Sequence, residues 1–325
     1  MRFARTGART GVRPGRPFKV SDQAYAKEAR VKKKWTSDPA WVPWAFLALP
    51  LALYFVWVIA PIFQSFAFAF TKRDSIVYGA AWAGFSNFKR LFTDPQFWLA
   101  VKNNFFWLIF FVGVPVPIGL GAAMLFNSRL PGNRVYKTLF YLPMTLSFTI
   151  IGTIWMWIYN PDFGALNVFL RSVGLESLAL PWLGDRRYMT GALIAVGVWR
   201  QVPYVMILYL AGLQGVPTEV LEAAVIDGAS AWQRFRKVIL PLLMPATIVA
   251  VTISIIDSLR AFDIVYVMTN TKARAAEVLA SYMYSSSFGF SDYGYGSAIA
   301  VVQFLITLAF ILVYVGDVLK KEEAR

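Results

Sequence analysis

The chain has 325 residues, of which 58% are apolar, 15% charged and 17% aromatic, a composition that marks an integral membrane protein rather than a soluble domain. It contains no cysteine and no histidine, which excludes thiol nucleophiles, imidazole general bases, haem ligation and the common zinc sites. The net charge of +14 is gathered in a head segment and in short loops, so it reads as membrane topology and argues against a nucleic-acid partner.

Residues 1–40 form a basic tail that begins "MRFARTGARTGVRPGRPFKV", Gly/Arg-rich and without apolar periodicity. It reads as a disordered topogenic segment, with contact to anionic membrane lipid as the other reading. The apolar run over 41–70 carries no charge, and at about 1.5 Å of rise per residue it crosses a hydrocarbon core of roughly 30 Å. It lies too far into the chain, and is too long, to be a cleaved secretory signal. The stretch "NFKRLFTDPQFWLAV" that follows reads as an amphipathic helix on the membrane surface. Further spans are predicted over 103–127, 139–159, 189–213, 238–268 and 294–316, six in all.

With the first end inside, the inner segments (1–40, 128–138, 214–237 and the tail after 317) hold 20 Lys and Arg, against 9 in the outer segments (71–100, 160–188 and 269–293). Both termini are therefore expected in the cytoplasm. Aromatic groups near span ends (Trp155, Trp157, Trp199) read as interface anchors.

Two spans carry polar groups at membrane depth, where they are costly and usually face protein or an aqueous path. The fourth reads "WRQVPYVM": Pro203 removes a donor and is expected to kink the helix, with Arg200, Gln201 and Tyr204 beside it. The fifth holds Asp257, Arg260 and Asp263 at three-residue spacing, which predicts a structural ion pair between Arg260 and Asp263. Asp257 lies deeper and makes a polar stripe with Ser254 and Ser258. Arg200 and Asp257 either face a ligand or pair with each other.

Between these two spans runs "LQGVPTEVLEAAVIDGASAWQRFRKVILPLLMP", from Leu213. Pro217 suits a first helical turn, Glu219 and Glu222 favour its positive end, and Gly228 can close the helix in a left-handed conformation. Ser230 followed by Gln233 fits a capping box that starts a second helix. The small residues Ala223 and Ala224 leave a low surface against which a partner can pack.

Glu222-Ala223-Ala224, then Asp227-Gly228-Ala229, Phe235, Ile239, Leu240-Pro241 and Pro245 resemble the "EAA" loop of the permease subunits of bacterial ABC importers. "WAGFSNFKRLFTDPQFWLAVKNN" (from Trp82), "LFYLP" (from Leu139), "NPDFGALN" (from Asn160) and "SLRAFDIVYVMT" (from Ser258) are similar to the carbohydrate-importing branch. The resemblance implies an all-α integral membrane fold, a six-helix bundle of the type I importer permease kind over 41–317, with a coupling loop at about 214–238 and a cytoplasmic tail over 318–325. It implies a sugar or oligosaccharide substrate, a second homologous permease subunit, an ATPase dimer inside, an extracytoplasmic solute-binding protein and a place in the bacterial inner membrane. Glu222, Ala223, Ala224, Asp227, Gly228 and Ala229 are then the coupling residues that dock on the ATPase.

The resemblance also implies a sugar path. Tyr204 and Ser254 match the maltose-importing members in type, Met144 and Phe148 fall at equivalent positions but differ in type, and Arg200, Gln201, Asp257 and Ser258 complete the polar lining. Arg200 and Asp257 depart from those members, and so does "NTKARAAEV" from Asn270, where the family commonly has a Gly-Gly-Pro turn. No G-x-x-x-x-G-K-[ST] phosphate loop occurs, so ATP and Mg are assigned to the partner ATPase, and no cofactor or metal to this chain. The rival reading, an ATP-independent secondary carrier or channel, is favoured by internal repeats, and none stands out. An integral-membrane enzyme is disfavoured by the missing His and Cys.

Overall fold

In lipid the backbone must satisfy its own polar groups, and long apolar runs do so as helices. The computed structural model describes residues 39, 41–72, 81–128, 131–270 and 273–323. Most of them are helical, and the one extended pairing among them joins Thr71–Lys72 to Ala81–Trp82. The basic head, apart from Pro39, lies outside the described residues.

Among the described residues, four helices are long and apolar enough to cross a membrane unaided: Val42–Phe68, Pro95–Asn127, Arg186–Gln214 and Tyr293–Tyr314. Two more spans are bent pairs, Asn133–Thr145 with Phe148–Ile158 at 99° and Ala231–Leu242 with Met244–Thr269 at 67°. Counting each pair as one span gives the six of the sequence reading. Both bends have local causes. In the third span Ser147 is extended and caps the second half by accepting the Ile150 N–H at 3.3 Å. In the fifth, Leu243 breaks the helix between Pro241 and Pro245, neither of which has an N–H to give.

The fourth span continues past the proline at which a kink is expected. It runs unbroken from Arg186 to Gln214 with Pro203 buried inside it. Its neighbours hold it: a Cβ on Gly197 would lie 2.7 Å from the Trp107 ring, and one on Gly119 would lie 2.7 Å from Val205 Cγ1 and 3.0 Å from the Met206 nitrogen. Such close approach through small residues is how helices pack without a hydrophobic drive between them. The second span begins at Pro95, earlier than predicted, because Asp94 caps it by accepting the Gln96 N–H at 2.9 Å. The predicted surface helix is accordingly shorter, Ser86–Thr93, and it buries Asn87 and Leu91.

Residues up to Pro61 form a unit separate from Ile62–Arg325. Within it, Val42–Tyr54 and Phe55–Ile59 are apolar on all sides and bury nothing, the pattern of a helix that needs lipid or another chain around it. In the larger unit one core joins Leu91, Phe97 and Ala100 to Leu279, Tyr282, Tyr295 and Ile299. A second surrounds the fourth span with Trp107, Phe111, Ile151 and Val265.

Candidate functional site

The fifth span is interrupted inside the bundle. One helix ends at Leu259, and another restarts at Asp263. The carbonyls stranded at such an end need donors. Asn104 Nδ2 donates to the Ser258 and Leu259 carbonyls, both at 3.4 Å, and Gln303 Nε2 donates to the Leu259 carbonyl at 2.9 Å. Asn104 Oδ1 also accepts the Leu279 N–H at 2.7 Å. Neither Asn104 nor Gln303 is among the site residues expected from the sequence. Their signal is an amide side chain inside an otherwise apolar run, which must find a partner in the bundle.

Beside the interruption lies a cavity of about 330 Å³, walled by aromatic groups (Trp107, Phe111, Phe148, Phe262) and by Arg200, Gln201, Asp257, Arg260 and Asp263. Gln201 Nε2 donates to the Asp257 carboxylate at 3.3 Å, bridging the fourth and fifth spans. The Arg200 guanidinium lies 3.9 Å over the Phe148 ring, joining the fourth span to the third. Its Nε is buried without a hydrogen-bond partner among the described residues. Cation, carboxylate, amide and ring thus converge on one small volume, the usual form of a site for a polar ligand.

The expected ion pair between Arg260 and Asp263 does not form, and of the two readings left open for Arg200 and Asp257 the ion pair is not the one seen: among the described residues the ion pairs are Arg90–Asp292 and Arg187–Asp185. The helical spacing that would bring Arg260 to Asp263 does not exist, because Phe262 leaves the helical conformation between them. The polar stripe also divides. Ser254 and Ser258 are fully buried, the latter donating to the Ile255 carbonyl at 2.8 Å and the former without a hydrogen-bond partner among the described residues, whereas Asp257 is exposed. At about 100° per residue, Ser254 and Ser258 share a direction and Asp257 points well to one side of it.

Of the sequence-predicted path residues, Phe148, Arg200, Gln201 and Asp257 therefore meet in the cavity wall. Tyr204, three residues beyond Gln201, and Met144, across the bend from Phe148, are half-buried and lie outside that wall. Trp155 packs edge-on against Trp199 at 5.5 Å, and Trp157 is exposed.

The stretch between the fourth and fifth spans folds as a helix, Thr218–Ile226, with Glu219 in its first turn. Pro217 stands one position outside the predicted first turn, at the cap. Gly228 adopts φ +73°. Its N–H reaches the Val225 carbonyl and the Ala229 N–H reaches the Ala224 carbonyl, both at 3.0 Å, the paired closure of a left-handed helix end. A Cβ on Gly228 would meet open space, so glycine is needed there for backbone conformation and not for packing. Ser230 then opens the next helix with both bonds of a capping box: it accepts the Gln233 N–H at 3.3 Å while its own N–H reaches Gln233 Oε1 at 2.8 Å. No residue of Thr218–Ile226 is buried, and Ile226 and Trp232 are 86% and 64% exposed. An apolar surface left open on a short, well-capped helix marks a contact face.

At the other end of the molecule the segment before the sixth span is helical over Leu279–Tyr284 and Ser285–Gly289, and Leu279–Tyr282 and Ser285–Ser287 are buried. Asn103 holds it by donating to the Ala275 and Glu277 carbonyls at 2.9 and 2.7 Å. Asp94 accepts from the hydroxyls of Tyr282 and Tyr295. Burial works against the Asp94 charge, but these bonds and the Gln96 N–H win and hold its carboxyl below the ordinary range. Burial raises Glu277, only partly offset by bonds from Ser285 at 3.0 Å and Gln96 at 2.6 Å.

Residues 115–322 match the family described as the binding-protein-dependent transport system inner membrane component. A probable ABC transporter permease protein of Pyrococcus horikoshii is 33% identical over 279 residues, 86% of this chain and 96% of the relative. The trehalose/maltose transport system permease protein of Thermococcus litoralis is 32% identical over 269 residues, 82% of this chain and 90% of the relative. An alpha-glucoside transport system permease protein of Rhizobium meliloti is 33% identical over 277 residues, 83% and 80% of the two chains. Among solved structures, a chain of a bacterial ABC transporter involved in the import of the acidic polysaccharide alginate shares the fold, with a TM-score of 0.75 at 22% identity over 88% of this chain and 96% of that one. With its helical bundle, its well-capped loop before the fifth span and these relatives, the chain belongs to the inner-membrane permease subunits of binding-protein-dependent ABC transporters.

Proposed function

We propose that this permease imports a sugar or oligosaccharide by alternating access, and that the cavity at the interruption of the fifth span lies on its path. The observation that carries the reading is the Gln201–Asp257 bridge beside Arg200 on the Phe148 ring, because amide, carboxylate, guanidinium and aromatic face are the groups that hold polyhydroxylated rings. Sugar substrates in the names of the relatives support the same class. Tyr204 and Met144 flank the cavity along the path, while Ser254 and Ser258 back the helix face that presents Asp257.

ATP and Mg are bound and used by a partner ATPase dimer, which receives Glu222, Ala223, Ala224, Asp227, Gly228 and Ala229 in a cleft. Its closure pulls on Thr218–Ile226, and the capped turn at Ser230 passes the motion through the bend at Leu243 to the interrupted fifth span. A second homologous permease closes the path from the other side, and a solute-binding protein delivers the sugar outside. Residues 1–40 and 318–325 are cytoplasmic tails of the 41–317 bundle. The test is ATP hydrolysis by the reconstituted complex with its binding protein and a panel of sugars. One sugar class should stimulate hydrolysis and be taken up; stimulation by amino acids or peptides alone would overturn the reading.

A further inference from the structure

A second cavity, about 530 Å³, opens where the second and fourth spans begin. Its wall holds Lys102, Arg186, Arg187 and Arg274 and no carboxylate. Arg187 is engaged by Asp185 at 2.7 Å. Lys102, Arg186 and Arg274 form no ion pair among the described residues, and all three are exposed. Glu277, on the same segment as Arg274, is buried and turned to Gln96 and Ser285. Cations gathered in this way repel one another and favour an anion between them.

The level of the cavity in the bilayer identifies the anion. Helix Pro95–Asn127 has 33 residues and is about 50 Å long, more than the roughly 40–45 Å of a bilayer with its headgroups. Lys102 lies about 38 Å along the axis from Asn127, and Arg186 about 42 Å from Gln214, so both stand in a headgroup layer. Phosphodiesters occupy that layer. The same wall continues in Leu99 and Phe106, and below it the face formed by Phe106, Ile109 and Phe110 is uncovered (38%, 48% and 45% exposed). A soluble anion has no use for that apolar track, and a carboxylate on a partner protein would have to reach down into the headgroups.

We propose that this pocket binds an anionic phospholipid, its phosphate held by Lys102, Arg186 and Arg274 and one acyl chain laid along Leu99 and Phe106. The lipid joins the second span, the fourth span and the segment that carries Glu277. The inference rests on reading these helices as membrane spans and is independent of which solute is carried.

The test is native mass spectrometry of the delipidated transporter complex in neutral detergent, titrated with phosphatidylglycerol or phosphatidylcholine. Wild type should retain phosphatidylglycerol preferentially, and Lys102→Gln with Arg186→Gln should bind it roughly 10- to 30-fold more weakly, the loss expected for two cations near an anionic lipid. The charge-conserving pair Lys102→Arg with Arg186→Lys should retain binding, and the single Lys102→Gln should fall between, which separates lost charge from a failure to fold. Equal affinity of wild type and the neutral pair would overturn the proposal. So would displacement of the lipid by millimolar glycerol phosphate, which would make this a soluble-anion site. Weaker capture of the solute-binding protein in lipid-free detergent, with lipid affinity unchanged, would assign the cations to a protein contact instead.

Discussion

Asp257 shows how a charge inside a span is tolerated: Gln201 donates to it and the cavity leaves its other lone pairs free for a ligand. Asp257→Ala and Gln201→Leu should each lower sugar uptake about 5- to 150-fold, the cost of about 1–3 kcal/mol for a lost polar partner, with basal ATP hydrolysis kept. Since Arg200 rests on Phe148 and forms no ion pair with Asp257, Arg200→Gln combined with Asp257→Asn should not recover uptake relative to either single change. Rescue in the double variant would instead reveal an ion pair. Two carboxylates outside the spans set opposite pH slopes. Glu277 is raised above its ordinary 4.5, so its contribution to stability is complete below that value and is lost as pH rises through the folded-state pKa. Asp94 is lowered from 3.8, so its contribution is present above that value and lost as pH falls through the lower folded-state pKa. Melting of the purified complex, scanned upward from about pH 4.5, should decline in wild type and decline less in Glu277→Gln.

The short helix Thr218–Ile226 is defined by its ends more than by its faces. Gly228 at φ +73° with open space around it predicts a graded series. Gly228→Asn should be tolerated, and Gly228→Val should cost roughly 1–2 kcal/mol of local helix-end stability. Membrane insertion should stay intact in both, while uptake and ATPase capture fall in the valine variant. Equal transport in Val and Asn variants would remove the left-handed turn from the coupling path. Ser230→Ala, which loses one bond of the capping box, should cost about 1 kcal/mol and weaken coupling without abolishing it. Much of this element was legible in the sequence, because caps are local: glycine, serine and the glutamine three residues later specify their own geometry. Only the placement of Pro217 shifted, by one residue.

At the level of the whole molecule, the absence of cysteine makes topology directly measurable. Cysteines at Ser128 and Ser230 should react only from the cytoplasm, and one at the exposed Ser177 only from outside. Labelling of the Ser230 position from outside would reverse the bundle. Assembly depends on the close approach of the second and fourth spans, so Gly119→Leu, placed against Val205 and the Met206 backbone, should cost about 1–3 kcal/mol or more by overpacking. Loss of the permease from the purified complex would report it, and Gly121→Leu, at a position with open space, is the control.

The helical class, six apolar runs, the missing phosphate loop and the caps of the stretch before the fifth span were written in the sequence, because hydrophobic length and capping are short-range properties that need no knowledge of neighbours. The interruption of the fifth span was not. Leu259 and Arg260 give no local stop signal, and the break is stable because Asn104 and Gln303, from the second and sixth spans, take up the freed carbonyls. Pro203 is the converse case: its local signal does not end the fourth span, which continues through it with Gly197 and Gly119 allowing close packing on either side. The path residues divide for the same reason, since helical spacing says which side chains share a face but only the neighbouring helices decide whether that face meets a cavity or another backbone.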